Sequence, residues 1–539
     1  MTENVTQSQI FSPPHDADAR FEKRAATRAA GVVGFWTMLS RVMGFVRDLV
    51  IAHFLGASTG ADAFFVAFRI PNLLRRLFAE GALSAAFVPT YVETLRRDGL
   101  TEGERLARVT FTFTAIVLFV VTVAGIVFSP WIVRIIAPGF VKNPDQFILT
   151  VGLNRIMFPY IFFISLTILA SGVLNSMGRF AAPAAAPIIL NVCMITAVAF
   201  SCSLLNIGPN YALAWGVAAA GVLQLALQIP FMTACGIRIR PNFDFRHPAL
   251  RTIGKLFVPV AFGGAVYQVN VMISTILASM LAAGGVSYLY YADRLVELPL
   301  GVFAIALGTA VLPSMSRQAA DGNISALRET VSYSLRLIAF FTIPASVALI
   351  VLRVPIIAVL FQRGAFGVAD TNETAYALFW YTVGLWAYSG LKVVNQAFFS
   401  MKDTRTPVYA SIGALTVNLA GGLLLMGPMR QGGLALATSV AAAANLLILF
   451  IILTRRLGGP PDVGLATALV KFSAAAAAMG ALLAYTRTLG VWELGLTPWN
   501  LIVLLGSVVG GLAVFVGCAY LLRSSEIASL VQFVRGRGA

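Results

Sequence analysis

The chain has 539 residues, of which 58% are hydrophobic and only 12% charged, with a mean hydropathy of +0.83. A soluble domain carries about 25% charged residues, so a water-soluble globule is excluded and the length is read as membrane spans of about 20 residues each. The net charge of +16 does not point to nucleic acid, because the basic residues lie in short connectors and inside apolar runs rather than in a basic domain or arm.

Residues 1–29 contain acids and prolines, lack the apolar centre of a cleavable signal peptide, and read as a disordered cytoplasmic tail. Hydropathy then predicts fourteen helices, at 30–54, 60–95, 109–136, 147–174, 181–205, 211–235, 251–282, 287–317, 334–361, 373–400, 405–427, 433–456, 466–488 and 498–522. Alternate connectors are basic, with Arg96, Arg97, Arg105 and Arg108, then Arg238, Arg240, Arg246 and Arg251, and later Arg455 and Arg456. By the positive-inside rule both termini are cytoplasmic.

An internal repeat is legible where the second span is laid on the eighth. FVAFRIPNLLRRLFA from Phe65 aligns with YYADRLVELPLGVFA from Tyr290, setting Arg69 on Arg294 and Phe78 on Phe303. After a one-residue gap, ALSAAFVP from Ala82 continues onto ALGTAVLP from Ala306. The offset of about 225 residues spans an even number of helices, which predicts two halves of parallel topology. The expected fold is therefore an all-α integral membrane protein. An N-terminal lobe of six helices (30–235) and a C-terminal lobe of six (236–456) surround a central cavity, followed by two additional helices (457–525) and a cytoplasmic tail (526–539).

An ionised residue at a span centre costs about 2.5–3.5 kcal/mol on the translocon scale and normally faces a polar cavity or a partner. The first span, SRVMGFVRDLVIAHFLG, carries Arg41, Arg47 and Asp48; the helical period puts Arg41 and Asp48 on one face with Arg47 to the side. In the second, Asp62, Arg69, Arg76 and Glu80 form one polar stripe, with Arg75 adjacent and Pro71 interrupting the ladder. The eighth adds Asp293, Arg294 and Glu297, and the tenth Lys392. Asp48 and Asp293 each adjoin an arginine directly and point about 100° away from it, which leaves guanidinium unpaired. Free guanidinium offers paired planar donors suited to phosphate oxygens, so phosphate or pyrophosphate is the expected ligand class, with a carboxylate-bearing lipid as the other choice.

Other chemistry finds little support. Cys193, Cys202, Cys235 and Cys518 lie in apolar stretches without CxxC spacing, and only His15, His53 and His247 are present, so no metal and no cofactor is expected. Gly56-Ala57-Ser58-Thr59-Gly60 matches the GxSxG elbow, but it falls in a connector between membrane helices and lacks a histidine partner. Ser389-Gly390-Leu391-Lys392 fits SxxK with no companion motif, and there is no GxxxxGK[ST] phosphate loop.

Ser40-Arg41-Val42, Gly44-Phe45-Val46-Arg47-Asp48, Ala61-Asp62-Ala63-Phe64-Phe65-Val66-Ala67-Phe68, Pro71-Asn72-Leu73-Leu74-Arg75-Arg76, Phe78-Ala79-Glu80-Gly81 and Tyr290-Tyr291-Ala292-Asp293-Arg294 closely resemble the MurJ/MviN family. That family comprises bacterial lipid II flippases of peptidoglycan synthesis within the multidrug/oligosaccharidyl-lipid/polysaccharide exporter superfamily. The resemblance covers about residues 30–525. It implies a multi-pass protein of the bacterial cytoplasmic (inner) membrane, a transporter and not an enzyme, whose partners are lipid II and membrane lipids, with the cell-wall synthesis machinery as a further candidate. It also implies that Arg41, Arg47 and Arg294 engage the lipid II pyrophosphate, with Asp62 also needed and counted with them as a substrate-binding residue. Asp48, Arg75, Glu80 and Lys392 take gating or structural roles, and the last two helices form a groove for the polyprenyl tail. Some relatives hold sodium among the seventh, eleventh and twelfth spans, but those spans carry no acid here. The alternative is a flippase or exporter of another lipid-linked oligosaccharide, or a drug exporter of the same superfamily.

Overall fold

The computed structural model describes residues 16–76, 83–200, 206–459, 464–524 and 526–527. Helices account for almost all of them, and there is no strand among the described residues. In chain order they are α1 (Asp16–Leu55), α2 (Thr59–Leu74), α3 (Ser84–Val127), α4 (Ser129–Ile136), α5 (Pro144–Met157), α6 (Tyr160–Ser176), α7 (Ala181–Phe200), α8 (Pro209–Ala234) and α9 (Pro248–Ser279). The second half continues with α10 (Gly285–Pro299), α11 (Ile305–Ala320), α12 (Ile324–Val351), α13 (Arg353–Phe361), α14 (Val368–Val383), α15 (Leu385–Ser400), α16 (Arg405–Arg456), α17 (Gly464–Arg487) and α18 (Pro498–Leu521).

Among the described residues, eight helical stretches are long and apolar enough to cross a bilayer. Large apolar side chains such as Phe119, Trp131, Leu424 and Tyr520 are more than half exposed, while Asn154, Gln228, Ser287 and Thr374 are fully buried. That distribution suits a bundle whose outer solvent is hydrocarbon, and the chain is a multi-pass membrane protein.

Several expected spans are broken. The fourth divides into α5 and α6 at Phe158-Pro159, the ninth into α12 and α13 at Leu352, and the tenth into α14 and α15 at Gly384. Hydropathy counts apolar residues and does not register a lost ladder bond, such as the one Pro159 cannot donate. The eleventh and twelfth spans are the two helical arms of α16, separated by a kink at Arg430, where φ is 49° and ψ −130°.

Between α10 and α11 the backbone widens to a π-helical turn over Leu300–Ala304, directly after Pro299. A π-helical stretch also includes Arg75 and Arg76 at the end of α2, and these positions align with Leu300 and Gly301 in the sequence repeat.

Two corrections concern the ends. The expected disordered tail, 1–29, is already helical from Asp16, because the run ADARFEKRAATRAA is rich in strong helix formers. The expected C-terminal tail begins at residue 526, yet Glu526 and Ile527 are only 2% and 5% exposed: they fold back onto α12.

Residues from the two halves meet tightly at one end of the bundle. Ala365 N–H donates to His53 O at 2.8 Å and Tyr291 Oη donates to Gly56 O at 3.2 Å. Gly56 sits at φ +60°, and a Cβ there would stand 2.4 Å from Ala365 O. Only glycine meets both demands.

Candidate functional site

Arg47 and Asp48 lie in the last third of α1, and Tyr290, Arg294 and Glu297 lie one turn apart along α10. Asp48 is the hub. Its Oδ1 accepts from Arg47 Nη2 at 2.8 Å and from Tyr290 Oη at 3.0 Å, and its Oδ2 pairs with Arg294 Nε at 3.1 Å. Arg294 also pairs with Glu297 at 2.7 Å and donates to Tyr290 Oη at 3.1 Å, while its guanidinium carbon stands 4.9 Å from the Tyr290 ring centre. Arg47 donates further to Asn191 Oδ1 of α7 at 3.0 Å, and Asn191 in turn donates to Ser40 O at 3.2 Å. Phe65 of α2 stacks on Tyr290 with centroids 3.9 Å apart, which fixes the phenol between the two guanidinium groups.

This geometry corrects one expectation. Neighbouring Arg47 and Asp48 do pair, because a guanidinium on a three-methylene stem can curl back to the adjacent residue. Unpaired positive charge resides at Arg41 instead: it is exposed and has no hydrogen bond or ion pair among the described residues. It stands beside Gly301 of the π-helical turn, where an added Cβ would lie 2.8 Å from Arg41 Nη1. Arg294 keeps a third of its side-chain surface exposed, whereas Asp48 is 2% exposed. The cluster therefore buries the Asp48 carboxylate and leaves the Arg294 guanidinium partly outward, beside the half-exposed carboxylate of Glu297.

Asp62 stands apart from this cluster. It is 2% exposed, accepting from Gly284 N–H at 2.7 Å through Oδ2 and from Ser287 N–H at 2.8 Å and Ser287 Oγ at 2.6 Å through Oδ1. These bonds satisfy donors at the start of α10 and place negative charge at its positive end. Arg69 donates to Thr275 of α9 at 2.8 Å, and Arg75 to Asn72 at 3.2 Å. Lys392 is exposed on α15. Glu80 lies outside the described residues. Asn191 and Tyr290 were missed as site residues; the signal for Asn191 is an amide in the otherwise apolar run AAPIILNVCMITAV.

Ser58 of the GxSxG match caps α2: its Oγ accepts from Ala61 N–H at 3.2 Å and donates to Leu55 O at 2.8 Å. The seventh, eleventh and twelfth spans meet in a neutral cluster. Asn418 Nδ2 donates to Asn270 Oδ1 at 2.9 Å and to Ser274 Oγ at 3.3 Å, and Thr438 Oγ1 donates to Asn418 Oδ1 at 3.3 Å.

The last two helices border a cavity of about 640 Å³ against α12. Phe340, Phe341, Met479, Leu483 and Phe515 line it, with Phe303 of the π-helical turn stacked on Phe341 at 4.3 Å. Its wall is almost wholly hydrocarbon, and its size falls within the roughly 300–1,000 Å³ of small-molecule sites.

The profile of the family described as lipid II flippase MurJ matches residues 51–503. A Burkholderia cenocepacia protein named lipid II flippase MurJ is 40% identical over 433 residues, covering 80% of this chain and 84% of its own. A Vibrio cholerae protein named probable lipid II flippase MurJ is 37% identical over 427 residues, covering 78% and 81%. Among solved structures, a lipid II flippase MurJ in an inward closed conformation superposes with a TM-score of 0.75 at 26% identity, over 93% of this chain and 99% of that one. An inward-facing MATE transporter of the MOP superfamily shares the fold, with a TM-score of 0.64 at 14% identity over 80% of this chain and 98% of its own. With most of its length matched by the family profile and by relatives above the level of chance similarity, the chain belongs to the MurJ lipid II flippase family.

Proposed function

We propose that this protein is a lipid II flippase, moving the polyprenyl-pyrophosphate-linked peptidoglycan precursor from the cytoplasmic to the outer leaflet of the bacterial inner membrane. It is a transporter and not an enzyme. The observation that carries the reading is the exposed, unpartnered Arg41 beside a set in which Arg47 and Arg294 share the buried carboxylate of Asp48. Such a site can exchange water around a pyrophosphate for charge-assisted hydrogen bonds. The apolar cavity of α12, α17 and α18 takes the polyprenyl tail.

Transport proceeds by alternating access of two six-helix lobes. The π-helical backbone at aligned positions of the repeat supports that division. With both termini cytoplasmic, the tight meeting of the halves at Gly56 and Ala365 lies at the outer face, and the described state is shut there. In this state Asp62 is a positioning residue, tying α2 to the start of α10 rather than touching the ligand.

Export of lipid II in cells depleted of the native flippase and carrying this chain tests the reading. Wild type restores export, and Arg41→Ala, Arg47→Ala and Arg294→Ala each abolish it at normal protein abundance. Failure of the wild type would assign another lipid-linked saccharide; export by the variants would overturn the site. Lys392→Ala slows transport if its charge biases the lobe equilibrium, and unchanged transport removes it from the mechanism.

A further inference from the structure

After α18 the chain doubles back. Ser524 N–H donates to Ala519 O at 3.0 Å, and Ser524 Oγ donates to Glu526 Oε2 at 2.8 Å. This places Glu526 against Arg336 of α12, with Arg336 Nε 3.3 Å from Glu526 Oε1, and sets Ile527 into the wall of the apolar cavity beside Phe340 and Phe515. The ion pair is poorly made. Glu526 is 2% exposed, yet neither Arg336 Nε nor Glu526 Oε1 has a hydrogen bond. Buried polar atoms are nearly always bonded, and an imperfect buried ion pair is weak support for stability. The facing atoms of the two charges are held in place without being satisfied.

Glu526 and Ile527 bring an anion and a branched hydrocarbon side by side to one guanidinium and one apolar cleft. That is the chemistry of a lipid with an acidic headgroup. The planar donors of arginine suit phosphate oxygens better than this single off-axis carboxylate contact. The π-helical turn touches both the cavity and the site already described: Phe303 lines the cavity, and Gly301, two residues earlier, stands against Arg41. A lipid seated there is one turn of chain from the exposed guanidinium, which favours the carrier lipid over a bulk phospholipid.

We propose that Arg336 and the adjoining end of the apolar cavity form a second anion site, which takes the phosphate of a polyprenyl phosphate lipid, and that Glu526 with Ile527 is its internal stand-in. The inference rests on the flippase reading for the class of lipid. Displacing Glu526 and Ile527 frees Arg336 and opens that end of the cavity to the chain.

Native mass spectrometry of the purified full-length protein, titrated separately with undecaprenyl phosphate, undecaprenol and phosphatidylglycerol, tests this. Glu526→Gln, and independently truncation after Arg523, raise the affinity for undecaprenyl phosphate by about threefold or more. Adding Arg336→Ala to Glu526→Gln cancels the gain, and undecaprenol binding ignores Arg336. The two routes to a freed Arg336 guard against one variant failing to fold, which a thermal melt reports. No gain in either folded variant, or an equal gain for undecaprenol, overturns the anion site; an equal gain for phosphatidylglycerol overturns the carrier-lipid assignment. If wild type fails to export lipid II while these gains persist, the flippase reading falls and the site stands.

Discussion

Asp48 has two guanidinium groups and a phenol converging on one buried carboxylate, so its removal leaves several charges and donors facing each other. Breaking a buried pair from one side costs about 3–5 kcal/mol. Asp48→Ala is therefore expected to lower the thermal stability of the detergent-solubilised protein by several degrees, whereas Arg41→Ala, which removes no bonded partner, leaves the melt within about 0.5 kcal/mol of wild type. Both abolish transport, and the melt separates their causes. Outside the membrane, Asp403 is held down to about 2, first by Thr406, whose Oγ1 and N–H both donate to it, and then by Arg456. A depressed carboxylate stabilises the fold fully above its unfolded value of about 3.9, and that contribution fades as the pH falls toward 2. Asp403→Ala is expected to cost about 1 kcal/mol at pH 7, as loss of a capping side chain does, with the difference closing in melts between pH 4 and 2. The arginines were legible in the sequence because an ionised residue inside an apolar run is costly and conspicuous. Their pairing was not, since helical periodicity describes where a Cβ points and not how far a long side chain returns.

The helices were legible in rough extent wherever apolar residues run unbroken, as in α8, α17 and α18. Interruptions were not, because they depend on single backbone groups. Pro159 removes a donor, Gly384 packs so closely on Ser439 that an added Cβ would stand 2.6 Å from its Oγ, and Pro299 precedes the π-helical turn. These breaks lie where side chains of different helices must converge, and the π-helical turn is the clearest case: Gly301 meets Arg41 and Phe303 lines the apolar cavity. The connector after α1 makes a sharper demand. Gly56→Ala places a Cβ in a left-handed conformation costing about 1–2 kcal/mol and drives it into Ala365 O. A lowered melting temperature and a wider outer opening, read by labelling a cysteine introduced at Ser58, are expected together; an unchanged melt and label would show that this closure is not tight.

Across the whole molecule, the substrate's charge and the membrane potential act in the same direction. An inside-negative potential favours outward movement of an anion by about 2.3 kcal/mol per charge per 100 mV, so collapsing it with an ionophore is expected to slow export, and unchanged export would remove the potential as a driving force. The repeat expected between the second and eighth spans rests on aligned residues such as Arg69 and Arg294; the packing of one half of the chain on the other was not legible, since it arises from backbone approaches that carry no hydropathy. Among those approaches, the grip of Asp62 on the start of α10 has a mechanical meaning. Three donors from two residues one turn apart at one helix end converge on a single carboxylate, so they cannot be surrendered one at a time as the helices part: a small displacement weakens all three together. The joint between α2 and α10 therefore behaves as a latch that is either engaged or released, not as a spring that stretches.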